Sequence, residues 1–278
     1  MKKAIAVLTK GYIDDKFYKD LIKRNKSIER NLKTKCSMLI FHEGNINSSQ
    51  QKMISSKTNL NLEFIPIPPF KPIPNLKIEN YGQGWGYRHM CNFWFISFLE
   101  YTKKYDLLIR IDEDCEISFN LDKMFDLLEK KVCVYGTWFE ERDERLTKGL
   151  LDYFKAYFNE EKFPTLSHNS GPYTNVVGFN LLKIREKKIL FEFQKKLKND
   201  NFIFIRRWGD LPLWGATLRV LFKEDEYEKL DFITYFHSSH SAIINPRFSF
   251  LLLKKYLKAT LRKIFSLDFQ KKHFIKIK

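Results

Sequence analysis

Three consecutive acidic residues, Asp112, Glu113 and Asp114, follow a run of apolar residues in the stretch YDLLIRIDEDCEI, residues 105–117. The apolar run is typical of a buried strand. In an open α/β sheet, ligands bind beyond the carboxyl ends of the strands. Because side chains two positions apart on an extended chain share a face, Asp112 and Asp114 are expected to point toward one site. Their hard oxygens suit Mg²⁺ or Mn²⁺, which in turn holds a diphosphate. A solvated turn is the alternative interpretation.

Two later segments carry further candidate groups. His237 and His240 follow an apolar run near residue 232, and an imidazole there would complete the shell of a metal ion. Asp210 lies in the turn RRWGDLP before a helical pattern. It is either a site residue or an N-cap that accepts backbone N–H bonds.

Short apolar runs alternate with amphipathic segments, which predicts an α/β fold whose central sheet has mostly parallel strands. The predicted strands cover 4–9, 36–43, 62–67, 106–111, 131–138, 172–184 and 232–240. The predicted helices cover 14–28, 88–101, 121–130 and 185–200, and one more follows a loop within 206–222. Five prolines in 66–75 exclude a helix or a central strand there and predict an extended surface segment.

The basic charge is concentrated in the last 33 residues. The chain has a net charge of +16, of which +9 lies in 246–278 and +7 in the other 245 residues. Residues 253–265, read as a helix, place an apolar stripe opposite lysines and arginines, which is typical of a helix at an anionic membrane surface. Packing of the same stripe on the rest of the protein is the alternative.

Four cysteines without close spacing favour buried thiols in a reducing cytosol over a zinc site. The apolar run after Lys2 and Lys3 is too short for a secretory signal, and no run is long enough to span a membrane. We therefore expect a cytoplasmic protein, peripheral on the inner face of the cell membrane.

Three motifs, in this order, resemble the fungal GDP-mannose-dependent α-1,2-mannosyltransferases of glycosyltransferase family 15. The family's Tyr-Arg-His-Met-Cys stretch occurs unchanged at 87–91. Its Arg-Val-Glu-Pro corresponds to Arg-Ile-Asp-Glu at 110–113, and its Arg-Trp-Gly-Asp-Ala-Pro to Arg-Trp-Gly-Asp-Leu-Pro at 207–212. A final Tyr-x-His matches 235–237. The heavy use of Lys, Asn, Ile and Phe fits a bacterial relative.

The resemblance implies a GT-A fold, an α/β/α sandwich with a mostly parallel, Rossmann-like sheet, over residues 1–245, followed by the basic tail 246–278. It also implies a Mn²⁺ (or Mg²⁺) cofactor. The family's metal-binding acid falls on Asp112 and its metal-binding histidine on His237, with Asp114 as a second acid.

The remaining site residues are also implied by the resemblance. Arg88 is expected near the donor diphosphate, and Thr9, Tyr87 and Asp112 are expected to bind the donor. The catalytic positions are Tyr87, Asp210, where donor sugar and acceptor meet, and Asn180. The last replaces a glutamate in the family's Ser-Asn-Phe-Glu-Ile stretch, which is a candidate nucleophile, and an amide cannot form a glycosyl ester.

These features predict a metal-dependent glycosyltransferase that moves a hexose from a nucleotide sugar to a glycan or lipid-linked acceptor of a cell-surface polysaccharide. By the family's precedent the sugar is mannose from GDP-mannose, transferred with retention, and a UDP-sugar donor stays open. A basic nucleic-acid-binding protein is the alternative from another class. No nucleic-acid partner is expected, because the basic excess lies mainly in the tail and no nucleic-acid motif is recognised.

Overall fold

Seven strands form the central sheet of the computed structural model, which describes residues 1–81, 84–158, 168–240 and 242–244. In order across the sheet they are Tyr227–Lys229 (β10), Cys133–Tyr135 (β6), Val176–Asn180 (β9), Leu107–Ile111 (β4), Lys3–Leu8 (β1), Ser37–His42 (β2) and Leu62–Pro66 (β3). All neighbours are parallel except β9, which is antiparallel to both β4 and β6. The prediction of a mostly parallel α/β sheet is confirmed.

The direction of β9 decides what reaches the site. Val176 pairs with Ile111, the last residue of β4, whereas Asn180 pairs with Leu107, its first. The start of β9 therefore lies at the same edge of the sheet as the carboxyl end of β4, and the end of β9 lies at the opposite edge.

Helices cover both faces of the sheet. They are Lys19–Asn31 (α1), Ser48–Ser55 (α2), Trp85–Asn92 (α3), Phe98–Tyr101 (α4), Leu121–Leu128 (α5), Glu144–Thr147 (α6), Leu150–Phe158 (α7), Leu181–Arg185 (α8), Lys188–Asp200 (α9), Phe202–Arg206 (α10) and Asp210–Leu221 (α11). A π-helical turn, Phe93–Ser97, joins α3 to α4, and single 3₁₀ turns cover Asp15–Tyr18 and Glu224–Glu226.

Side chains of the strands alternate between two cores, as the pleat requires. Ala4, Ala6 and Leu108 face a large aromatic core that α7, α9 and α11 help to build. Ile5 and Ile109 face a second core that contains α5 and the end of α1. The molecule is thus an α/β/α sandwich.

Two small sheets flank the carboxyl edge of the central sheet. One is antiparallel and consists of Cys115–Ile117 (β5), Tyr235–His237 (β11) and Ala242–Ile244 (β12). The other pairs Trp138–Glu140 (β7) with Ser170–Pro172 (β8). The first sheet places His237 directly opposite Cys115.

Three predicted strands are wrong in extent. The run 232–240 contains only the three residues of β11. The run 131–138 is divided into β6 and β7, which belong to different sheets. The run 172–184 is divided into the end of β8, then β9, then α8, because the chain turns at Tyr173–Asn175 and Asn180 caps a helix. An unbroken apolar run does not show where a strand begins.

Among the described residues, no helix combines the length and apolar character needed to cross a bilayer. All four cysteines are free thiols, and Cys91, Cys115 and Cys133 are buried. The predicted tail, 246–278, lies outside the described residues.

Candidate active site

A cleft of about 350 Å³ opens at the carboxyl edge of the central sheet. Predicted site residues from three separate segments line it: Tyr87 from α3, Asp112 after β4 and Asp210 at the start of α11. Asn175, which precedes β9, and His240, which follows β11, also line it. The motifs that are distant in sequence therefore meet in one cavity.

Arg110 organises the acids of this cleft. Its Nε and Nη2 atoms donate to the two carboxylate oxygens of Asp112 at 2.7 and 3.0 Å. Its Nη1 donates to Asp210 at 2.5 Å, and the guanidinium stacks on Trp94 at 4.5 Å from the ring centroid. Burial opposes the charge, but the two carboxylates raise the pKa of Arg110, so it stays a cation. Arg110 thus fixes the orientation of both acids.

Asp210 is not an N-cap. Helix α11 is preceded by Gly209, and no side chain caps its first turn. The Asp210 carboxylate, 5% exposed, instead pairs with Arg110 of β4. The interpretation of Asp210 as a site residue is therefore the one that the geometry supports.

A cluster suited to a metal ion adjoins the cleft. Oδ2 of Asp114 lies 3.2 Å from Nε2 of His237, and the Cys115 sulfur lies with them inside a 4.8 Å span. Burial alone would raise the pKa of Asp114, but hydrogen bonds from His237 and Ser239 lower it to about 2, so it is a carboxylate at neutral pH. Asn175 Nδ2 bridges from this cluster to Asp112, at 3.4 Å from His237 Nε2 and 3.2 Å from Asp112 Oδ2.

These donors fit a hard or borderline divalent ion. A carboxylate and an imidazole suit Mn²⁺, whereas a thiol suits it poorly. Burial also raises the pKa of Cys115 far above its usual range. Asp114 and His237 are therefore the two donors that the structure brings together. Asp112 lies next to them but is occupied by Arg110, and its role as a ligand stays a prediction.

Glu113, between the two predicted metal ligands, ties the loop after β1 to the acidic segment. It accepts hydrogen bonds from the hydroxyls of Thr9 and of Tyr12, the latter at 2.9 Å. Thr9 is 4% exposed, so its hydroxyl supports this loop, and its predicted contact with the donor stays a prediction. The order of acids in the triplet thus has a structural reason.

Arg88 does not reach the cleft, which corrects its predicted place beside the diphosphate. It is 1% exposed, and its guanidinium donates to the backbone carbonyls of Phe204, Ile205 and Glu79. The side chain lies on the face of α3 that packs against α10, so it holds these two helices together.

Asn180 also lies outside the site, because it sits at the opposite edge of the sheet from Asp112. It is 1% exposed, caps α8 by accepting from Lys183 N, and donates to the carbonyl of Leu128 at 3.1 Å. A catalytic or sugar-binding role for Asn180 is therefore not retained. Trp214 of α11 is likewise fully buried, and its indole donates to Trp94 O.

The residues of this region that reach the cleft are Tyr173, Thr174 and Asn175, and Asn175 is the one that contacts both Asp112 and His237. It stands in the sequence Thr174-Asn175, which matches the first two positions of the family's Ser-Asn-Phe-Glu-Ile better than the segment around Asn180 does. Aligned in this way, the family's glutamate falls on Val177, a buried residue paired with Arg110. The position of the candidate nucleophile is still not a carboxylate.

Comparison with known proteins supports the resemblance. No family profile matches the chain. It is 24% identical over 203 residues to glycolipid 2-alpha-mannosyltransferase 2 of Candida albicans, covering 63% of this chain and 43% of that protein. It is 26% identical over 181 residues to glycolipid 2-alpha-mannosyltransferase of Saccharomyces cerevisiae, covering 56% and 40%. The chain thus spans about two fifths of the length of these relatives, and the predicted resemblance to fungal mannosyltransferases is confirmed.

Solved structures resemble this chain over a larger share of its length than the sequence relatives do. Core-mannan synthase A of Aspergillus fumigatus, in its Mn/GDP form, superposes with a TM-score of 0.71 at 14% identity, over 85% of this chain and 74% of that one. The chain has a GT-A fold. The GDP complex of mannosyltransferase Ktr4p of S. cerevisiae gives a TM-score of 0.67 at 14% identity, over 85% and 71%. In this GT-A fold, the cleft and the Asp114–His237 cluster lie at the carboxyl edge of the sheet, where α/β folds bind their ligands.

Proposed function

We propose that this chain is a metal-dependent glycosyltransferase that moves mannose from GDP-mannose to a glycan or glycolipid acceptor of a cell-surface polysaccharide. One observation carries the proposal: Asp112 and Asp210 share a cleft beside the Asp114–His237 pair at the ligand-binding edge of a GT-A sheet. The names of the curated relatives support mannose as the sugar, and the GDP-bound neighbours support the nucleotide.

The chain's own residues divide the work of such a transfer. Asp114 and His237, with Asp112 beside them, would hold a divalent ion that neutralises charge on the leaving diphosphate. Arg110 holds Asp210 in one orientation in the cleft, where its free oxygen is available to a hydroxyl of the sugar or of the acceptor. Tyr87 forms the wall next to Asp210.

We further propose retention of the anomeric configuration without a glycosyl ester on the protein. The described carboxylates that line the cleft are Asp112, Asp210 and Glu141, and the first two are paired with Arg110. In a front-side transfer, the bond from C1 to the diphosphate oxygen breaks while the acceptor oxygen bonds to C1. The acceptor proton passes to the departing phosphate. A β-linked product seen by NMR after transfer from α-linked GDP-mannose would overturn retention. A glycosyl adduct trapped on the protein would contradict the proposal that no ester forms.

The deciding experiment is a screen of nucleotide sugars against the full chain with and without Mn²⁺. We expect GDP-mannose to raise the melting temperature and to be hydrolysed slowly, both in a Mn²⁺-dependent way. A response to a UDP-sugar alone would change the donor. No response to any nucleotide sugar, together with salt-sensitive binding of DNA or RNA, would contradict the proposal.

The proposed acceptor determines where in the cell the enzyme would act. An acceptor on a lipid carrier places the reaction at the inner face of the cell membrane. The basic residues of 246–278 would attach the enzyme to anionic lipid, at on the order of 1 kcal/mol for each basic residue near the surface.

A further inference from the structure

Arg207 is a buried cation in the wall of the cleft. It is 9% exposed, and its guanidinium carbon lies 4.5 Å from the centroid of the Tyr87 ring. Its Nε atom is buried and has no hydrogen-bond partner. Within the part of the chain that the structure describes, no carboxylate lies within ion-pair distance of Arg207.

The neighbouring arginines differ from Arg207 in their contacts. Arg110 is shared by two carboxylates. Both Nη atoms of Arg88 donate to backbone carbonyls, and although its Nε has no partner either, Arg88 does not line the cleft. Arg206 pairs with Glu79 outside the cleft. Arg207 is therefore the arginine of this group whose guanidinium both borders the cleft and keeps donor capacity for a ligand.

The backbone shows that this placement has a cost. Arg207 has a φ of +60°, in the left-handed region, between α10 and Gly209. A non-glycine residue there costs about 1–2 kcal/mol, and burying a cation without an anionic partner adds to that. Glycine would avoid both costs, so an arginine at this position indicates that its side chain has a use.

We propose that Arg207 binds a phosphate oxygen of the donor diphosphate, the place that the sequence assigned to Arg88. A guanidinium presents paired N–H donors that match a phosphate, and contact with Tyr87 restricts how it can turn. This inference rests on the proposed function only for the identity of the donor, since an oxyanion site is testable by itself.

The test measures binding of inorganic pyrophosphate, and separately of GDP, to the full chain with Mn²⁺ by calorimetry. Arg207→Gln is expected to weaken the binding of both ligands at least tenfold. Arg207→Lys should weaken it less, because lysine keeps the positive charge but lacks the paired N–H donors of the guanidinium. Arg206→Gln is the matched control: it removes the adjacent positive charge outside the cleft and should leave both affinities unchanged. Arg207→Gly should bind as poorly as Arg207→Gln while melting no lower than the wild type without ligand.

The outcomes separate the two proposals. If the wild type binds pyrophosphate through Arg207 but no nucleotide, the oxyanion site stands and the proposed function fails. If GDP binds equally well to the wild type and to Arg207→Gln, the function stands and the assignment of Arg207 is wrong. A lower melting temperature of Arg207→Gly with unchanged pyrophosphate affinity would show a purely structural role and would also overturn the assignment.

Discussion

Arg110 on β4 and Asp210 on α11 form an ion pair with an N···O distance of 2.5 Å, and their side chains are only 4% and 5% exposed. The pair connects the middle of the central sheet to the first residue of a helix that is a hundred residues away. Asp112 accepts from the same guanidinium. The same arginine therefore orients both acids in the cleft, and Asp112 has Asn175 as a second partner.

Replacing Asp210 should test this arrangement. Removing one partner of a buried ion pair costs about 3–5 kcal/mol, and we expect the lower value for Asp210→Ala because Asp112 still neutralises Arg110. Asp210→Asn keeps the size and one acceptor, so it should cost less in urea denaturation. Both variants should lose more than 100-fold in transfer. Normal transfer by Asp210→Asn would show that the carboxylate only supports the fold. Asp20→Ala, which removes the partner of the half-exposed Lys23, is the control and should cost less than about 1 kcal/mol.

The position of the acidic residues at the end of β4 was predictable from the sequence, whereas the residues that contact this segment were not. A strand followed by Asp112 and Asp114 is a local pattern, and sheet topology assigns strand ends to the ligand-binding edge. Pairing of Arg110 with Asp210, or of β5 with β11, is set by packing over long sequence distances. The sequence also hides the turn at Tyr173–Asn175, and the comparison with the family's Ser-Asn-Phe-Glu-Ile stretch therefore placed Asn180, and not Asn175, near the site.

The metal site gives the next prediction. His237→Ala and Asp114→Asn each remove one donor of the pair whose atoms lie 3.2 Å apart. Loss of a residue that only hydrogen-bonds to a metal ligand typically costs 10–100-fold in metal affinity. Loss of a ligand itself should therefore lower Mn²⁺ affinity by more than about 100-fold. The Mn²⁺ concentration for half-maximal activity measures this. Glu113→Gln is the control. Glu113 lies between the two acids in sequence, but it contacts Thr9 and Tyr12, so its replacement should leave Mn²⁺ affinity unchanged. Unaltered Mn²⁺ dependence of the His237 variant would show that the site is elsewhere.

The variant Asp112→Asn examines the remaining predicted ligand. If Asp112 binds the ion, this variant should weaken Mn²⁺ binding as strongly as Asp114→Asn does. If Asp112 only holds Arg110, the variant should lower stability and transfer while the Mn²⁺ dependence of the residual activity stays the same. The two outcomes are distinguished by titrating Mn²⁺ against the residual activity.

Asn180 should matter for stability alone. Asn180→Ala removes the cap of α8, worth about 1 kcal/mol, and leaves buried carbonyls without a donor, worth about 1–3 kcal/mol more. The activity of the remaining folded protein should equal that of the wild type. Asn120→Ala, which removes an exposed cap from α5, should cost only about 1 kcal/mol. A changed KM for the donor in Asn180→Ala would restore the sugar-binding hypothesis.

The tail should attach the chain to anionic membranes. Its helix pattern places on one face Leu253, Tyr256, Leu257, Thr260, Leu261 and Ile264, with five basic residues on the other side or its flanks. We expect the full chain to sediment with vesicles that contain anionic lipid, and a chain ending at Asn245 to stay in solution. Equal behaviour of the two chains would contradict the prediction, and binding to neutral vesicles would show that charge is not the cause.

A close backbone contact beside the cleft supplies the last prediction. Helix α11, which begins with Asp210, crosses β8 where Gly215 meets Gly171. A Cβ on Gly215 would lie 1.7 Å from Ser170 O and 2.5 Å from Gly171 Cα, and neither backbone atom can move aside as a flexible side chain can. Gly215→Ala must therefore shift α11 away from β8. We expect a loss of more than about 3 kcal/mol in unfolding free energy, the upper part of the range for overpacking.

The same variant should impair transfer before it unfolds the protein, because moving α11 displaces Asp210 from Arg110. Gly86→Ala is the control, since a Cβ at this exposed position in α3 would meet nothing within 4 Å. It should stabilise the protein by about 1 kcal/mol through helix propensity. Thermal melting and a transfer assay at low temperature, run on both variants, separate the two effects. A Gly215→Ala protein with wild-type stability would show that α11 and β8 do not meet as closely as described.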